Sequence, residues 1–260
     1  MKPTVRLSGR LAVLGVLALL AAGCNASRPS LARPGESLAP STSTSTTAVT
    51  VPVAPALLIA TASSTRVDIY DAPFTPSPRV VLPNPWALNG ATSDLIPQVF
   101  RVVRRRPDGW VLVELPERPN GQTGWIPPGE IRVTQTPYRI EVALSAHRIT
   151  VFDDSAVLYR GLVATGAAAT PTPTGNYYLR VLLKSSDPTS AYGPFAFGLS
   201  AHSDALSTFS GSDAEIGLHG NNNGSALGRS VSHGCIRMDN AAITRLSKIL
   251  PLGTPVDIVR

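Results

Sequence analysis

The spacing of hydrophobic positions changes along this chain, and each change marks a segment. Residues 11–22 form an apolar run behind Lys2, Arg6 and Arg10; at 12 residues it is too short to span a bilayer and has the layout of an export signal. Periodicity then disappears. Ser41-Thr42-Ser43-Thr44-Ser45-Thr46-Thr47 and scattered prolines up to Pro55 cannot bury enough apolar surface to offset ordering entropy, which predicts a flexible tether over residues 24–56. From 57 to 133 short alternating runs appear, broken by Gly, Pro and Asp. Val67-Asp68-Ile69-Tyr70, Gln98 to Val103, Trp110 to Leu115 and Thr123-Gly124-Trp125-Ile126 predict strands of a small barrel over residues 57–135.

The remaining stretch, 136–260, is long enough for one compact domain. Ile140, Val142 and Leu144 alternate with Glu141 and Ala143, and Ile149 and Val151 resume the alternation, which predicts a hairpin. Further strands are expected at 157–165, 177–183 and 254–259. Asn240 is placed to cap a short helix whose Ile243, Leu246, Ile249 and Leu250 share a face, and Pro251-Leu252-Gly253 stops it. Between Lys184 and Glu215 regularity is lost, and so long a connection reads as a lid or binding loop containing Tyr192 and His202. It leads to a short strand, Ile216-Gly217-Leu218-His219. The chain is thus expected to be mainly β, two β domains with one short helix behind a signal and a tether.

Charge excludes one class of partner. Residues 51–135 hold eight basic against seven acidic side chains and residues 136–260 hold ten against nine, so much of the net +6 sits in the first 50 residues. Without a basic stripe there is no nucleic-acid footprint. Arg104-Arg105-Arg106 reads as a solvated hairpin face.

There are two cysteines, Cys24 and Cys235. Leu20-Ala21-Ala22-Gly23-Cys24 resembles the lipobox of bacterial lipoproteins, which implies lipidation of Cys24 and an extracytoplasmic protein anchored to the membrane through its N-terminal lipid. Cys235 is then left without an internal partner in an exported chain, and reactivity explains it better than crosslinking. It lies in Ser232-His233-Gly234-Cys235-Ile236-Arg237-Met238. A thiol attacking an amide must be ionised, so an imidazole is needed to take its proton or stabilise the thiolate, and the same imidazole can protonate the leaving amine. The developing oxyanion wants backbone N–H donors, which a turn at Gly234-Cys235 can expose. His219 and His233 both compete for the role of base. A zinc site from His219, His233 and Cys235 is the alternative chemistry, weakened by the lack of a fourth ligand.

The set formed by His219-Gly220, Cys235 sixteen positions later in its Ser-His-Gly-Cys motif, the upstream Thr172-Pro173-Thr174-Gly175 turn and the downstream Gly253-Thr254-Pro255-Val256 strand resembles the L,D-transpeptidase family over residues 136–260. The resemblance implies a β-sandwich with a short helix, Cys235 as nucleophile, His219 as base, and Gly220 backbone orienting its ring. Catalytic candidates are therefore Cys235, His219, His233 and Gly234. Ser232 is expected to hold the turn through its hydroxyl, with contact to substrate as the alternative. Arg237 is expected either to fix a stem-peptide carboxylate or to pair with an acid such as Asp239. Asn221, where many relatives carry threonine, and Tyr192 complete the substrate-binding candidates. The implied reaction attacks the third residue of a peptidoglycan stem, expels D-alanine, and forms a 3-3 crosslink through a thioester, or with water acts as a carboxypeptidase. Carbapenems are implied to acylate the same sulfur. It requires no cofactor or metal, and a monomer is expected. The Gly109 to Val113 run followed by Gly124-Trp125-Ile126-Pro127 resembles bacterial SH3-like domains; its tryptophans either pack the barrel or offer a wall-binding platform. That leaves a non-catalytic wall-binding lipoprotein as the rival reading.

Overall fold

The alternation at 140–151 folds as strands Tyr138–Ala143 and Arg148–Asp153, with Ile140 opposite Val151 and Val142 opposite Ile149. All four side chains are fully buried, as a period of two demands when one face of a sheet is covered. The structure is a computed structural model that describes residues 56–88, 95–209 and 213–260; the signal, the tether and Cys24 lie outside them. Among the described residues no helix is long and apolar enough to cross a membrane.

The larger sheet has eight strands in the order Ala156–Leu162, Arg148–Asp153, Tyr138–Ala143, Pro255–Val259, Gly175–Lys184, Phe195–His202, Glu215–His219, Ile236–Arg237. Pairing is antiparallel except where Tyr138–Ala143 meets Pro255–Val259 and where Glu215–His219 meets Ile236–Arg237. The chain is mainly β, as the pattern predicts, with a single α-helix, Asn240–Leu246, among the described residues.

Two expectations are corrected. Phe195–His202, read as part of an irregular connection, is an eight-residue strand inside the sheet, bonded to neighbours on both sides. Phe197, Leu199 and Ala201 point into the core, while Gly198 and Ser200 leave the other face too small to announce a strand. The helix cap is Asp239 rather than Asn240: Asp239 has extended backbone and its carboxylate accepts the Ala242 N–H at 3.0 Å. Asn240 is already helical, and its side chain is used elsewhere.

The N-terminal sheet runs Thr123–Ile126, Val111–Glu114, Val99–Arg105, Leu57–Ala62, Ile131–Thr136. Trp110 and Trp125 are 7% and 6% exposed. Trp110 meets Tyr70 and Phe74 edge to face at 5.4 and 5.5 Å, and Arg104 covers Trp125 at 4.9 Å, so both indoles pack rather than present an open face. This sheet packs tightly on the larger one. Tyr178 of the larger sheet is buried in the N-terminal core, Arg101 pairs with Asp257 at 2.6 Å, and Gly253 at φ +88° lets Ile59 approach so closely that a Cβ there would lie 2.3 Å from its Cγ2.

Candidate active site

The parallel pairing of Leu218 with Ile236 and His219 with Arg237 brings two distant segments side by side. Leu218 and Ile236 are fully buried in the core. Because neighbours alternate faces, Gly217, His219, Cys235 and Arg237 share the opposite one. Gly217 N–H donates to Cys235 Sγ at 3.3 Å. A Cβ on Gly217 would lie 3.7 Å from that sulfur and 3.5 Å from His219 Cδ2, the ring atom bonded to Nε2. Thiol and imidazole therefore flank one glycine, and both line a cleft of about 490 Å³.

His219 Nδ1 lies 2.7 Å from Gly220 O. A carbonyl only accepts, so Nδ1 carries the proton and Nε2 keeps its lone pair. Burial pushes the His219 pKa down to about 4, against the Gly220 hydrogen bond, with the Arg237 charge adding to the fall. Burial pushes the Cys235 thiol up, against the Gly217 N–H and Arg237. Burial thus favours a neutral imidazole beside a neutral thiol over a thiolate held by an imidazolium. Tyr192 lies over the imidazole, ring centroids 4.9 Å apart, and is 44% exposed.

Ser232 is 1% exposed; its Oγ donates to Cys235 O at 2.6 Å and accepts the Gly234 N–H at 3.1 Å. The hydroxyl thus closes the turn carrying the nucleophile. It also engages the Gly234 N–H, one of the amides of the Gly234-Cys235 turn, and Gly234 supplies that turn's conformation (φ +120°). At that φ an added Cβ would lie 2.9 Å from Ile216 Cδ1.

Beneath the turn lies the loop 166–175. Thr172 Oγ1 donates to Gly234 O at 2.7 Å and accepts the Gly166 N–H at 2.9 Å, and Thr170 Oγ1 donates to Ser232 O at 3.2 Å. Sequence reasoning noticed Thr172 as part of a turn but not as a support; only its place in the Thr-Pro-Thr-Gly run hinted at more. Asn240 was missed in the same way. Its Oδ1 accepts the Asn221 N–H at 2.8 Å and its Nδ2 donates to Asn222 at 2.6 Å, filling a space that a Cβ on Gly220 or Gly193 would invade. Asn221 Nδ2 turns back to Asn223 O, so this amide braces its own loop.

His233 is exposed, its ring 5.5 Å from that of Phe209. The structure does not place it beside the thiol's Gly217 flank, where His219 stands. Arg237 is half-buried and lines a smaller hollow with Tyr192, His219, His233 and Cys235. Among the described residues it forms no ion pair with Asp239 or any other acid, and its Nε is buried without a partner. No group of three or more His, Cys, Asp or Glu among the described residues is placed to hold a metal ion. His202, also fully buried, sits away from this constellation, with Nε2 3.1 Å from Asp213.

A half-buried cysteine on a tight turn, an imidazole of fixed tautomer beside it and a cleft over both form an arrangement that can support acyl transfer. Residues 137–258 match the family model of the YkuD L,D-transpeptidase catalytic domain. A candidate L,D-transpeptidase of Bacillus subtilis, YkuD, is 33% identical over 124 residues, 48% of this chain and 67% of that protein. Its counterpart in Bacillus licheniformis is 30% identical over 131 residues, 50% of this chain and 71% of that protein. The chain belongs to the L,D-transpeptidase family. A solved cysteine-to-serine mutant of the Enterococcus faecium L,D-transpeptidase overlaps at TM-score 0.36 and 21% identity, over 47% of this chain and about half (49%) of that one.

Proposed function

We propose that this protein is a peptidoglycan L,D-transpeptidase in which Cys235 attacks the carbonyl of the third stem residue and expels the terminal D-alanine. The observation that carries this reading is the pairing of Cys235 Sγ and His219 across Gly217 at the floor of the cleft. As substrate displaces water, His219 Nε2 removes the thiol proton; sulfur adds to the carbonyl, and the C–N bond breaks as the same imidazole protonates the departing amine. A neutral pair suits this order, since the base is already free at neutral pH and the charges arise only as bonds change. The thioester then passes to a neighbouring stem amine, giving a 3-3 crosslink, or to water, giving carboxypeptidase activity. With the Gly234 N–H engaged by Ser232, the turn's remaining donors for the oxyanion are the N–H groups of His233 and Cys235. Arg237, lacking an acidic partner among the described residues, is the group to receive a stem carboxylate. The lipobox-like Cys24 and the tether support a membrane-anchored, extracytoplasmic enzyme working at the wall.

The purified full chain incubated with tetrapeptide stems should release D-alanine and form dimers. Cys235→Ala should abolish both, and mass spectrometry should find the donor fragment on Cys235. Undiminished turnover by that variant would remove the assignment.

A further inference from the structure

Arg118 and Asn120 lie on the turn between strands Val111–Glu114 and Thr123–Ile126 of the N-terminal sheet, yet their side chains serve the other half of the molecule. Arg118 Nη1 donates to Ser203 O at 2.7 Å, Nη2 to Leu206 O at 2.9 Å and to Asp213 O at 3.2 Å, and Nε to Asp213 Oδ1 at 3.1 Å. Asn120 Nδ2 donates to His202 O at 2.7 Å and to Asp204 Oδ1 at 2.9 Å, while its Oδ1 accepts the His202 N–H at 2.9 Å. These seven bonds grip the chain where it leaves the Phe195–His202 strand and again where it returns at Asp213. Between the strand's end and the cleft runs 203–209, ending at Phe209, which lines the cleft together with His219 and Cys235 and meets the His233 ring. Ala214, next to Asp213, lines the same cleft, as does Leu88 from the N-terminal half.

We propose that Arg118 and Asn120 are positioning residues for substrate: from the N-terminal sheet they hold residues 203–209 and 213–214 so that Phe209 and Ala214 form one wall of the cleft, making the N-terminal half a component of donor binding. The proposal rests on the transpeptidase reading for what the wall receives. The fork of Arg118 suits this task because its planar donors reach backbone carbonyls on both sides of the gripped segment at once, which a lysine ammonium cannot reproduce. Neither residue lines the cleft, so loosening the wall should weaken substrate binding while leaving the thiol and its imidazole in place.

The test uses the full chain and its Arg118→Ala, Arg118→Lys and Asn120→Ala variants, with three readouts: KM and kcat on tetrapeptide stems, the rate at which iodoacetamide alkylates Cys235, and amide hydrogen exchange of residues 203–209. Arg118→Ala should raise KM about tenfold, the scale expected when a charged donor's hydrogen bonds are lost. Its kcat and alkylation rate should stay near wild type, exchange of 203–209 should quicken, and Arg118→Lys should fall between. Unchanged KM or unchanged exchange overturns the proposal, and so does a parallel fall in kcat and alkylation, which would mean general damage. If Arg118→Ala fails to fold, Asn120→Ala, expected to shift KM and exchange in the same directions, carries the test. A wild-type chain that alkylates normally but processes no stem would sink the transpeptidase reading, while the exchange data would still decide whether the grip exists.

Discussion

Thr172 Oγ1 donates to Gly234 O at 2.7 Å while accepting the Gly166 N–H at 2.9 Å, so one buried hydroxyl fastens the loop 166–175 to the turn that carries the nucleophile. Thr172→Val keeps the shape and leaves both backbone groups unsatisfied. It should cost about 1–3 kcal/mol of stability and lower turnover, whereas Thr172→Ser should recover most of both. Chemical denaturation alongside turnover measures this; a Val variant equal to wild type in each would show that the hydroxyl supports nothing.

Gly217→Ala probes the space between thiol and imidazole. The new methyl would lie 3.7 and 3.5 Å from Cys235 Sγ and His219 Cδ2, ordinary contact distances, so the fold should survive. Turnover should nevertheless drop by about tenfold to a hundredfold, because the methyl occupies the ground that a reacting carbonyl or the proton path needs. Full activity in a normally melting Ala variant would place the reaction elsewhere.

Stability should depend on pH through His219. Its folded pKa of about 4 lies below the ordinary 6.5, so between those values the unfolded chain binds more protons than the folded one. Stability is thus fully present above pH 6.5 and is lost as pH falls toward 4, by at most about 3 kcal/mol. His202, pushed down by burial, acts with the same sign. Denaturation midpoints across this window should show a flatter slope in His219→Gln; an identical slope would mean that His219 is not buried in its neutral form.

The same electrostatics govern thiol reactivity. With the Cys235 thiol pushed up by burial, iodoacetamide alkylation of the free protein should be slow at neutral pH and keep climbing beyond the ordinary thiol range. A plateau already reached below pH 7 would instead indicate a preformed thiolate–imidazolium pair.

Arg237→Lys retains charge but loses the fork. If the guanidinium receives a stem carboxylate, KM should rise about tenfold with little change in melting temperature. A fall in melting temperature with KM untouched would mark Arg237 as a structural cation.

Strands with strict alternation, such as 140–143 and 149–151, were legible because one face of each is apolar. Phe195–His202 was not: glycine and serine on its second face erase the contrast, and its flanks are loops. Asp239 and Asn240 are adjacent residues of equally good capping type, and only the point where the backbone leaves the Ile236–Arg237 strand decides between them. Cys235 and His219 stood out by residue type and spacing. Their resting charges did not, because burial comes from tertiary neighbours such as Tyr192, packed against the imidazole from a stretch with no regular pattern. The partners of Arg118, 85 to 95 positions downstream, leave no local trace at all.

The registration of Leu218 on Ile236 has one more implication. Sliding that short ribbon by a single position would send the imidazole inward and push leucine toward water, so oil and reagent are sorted by the same alignment. Variants that loosen packing behind these two aliphatic residues should therefore masquerade as catalytic defects in any activity screen.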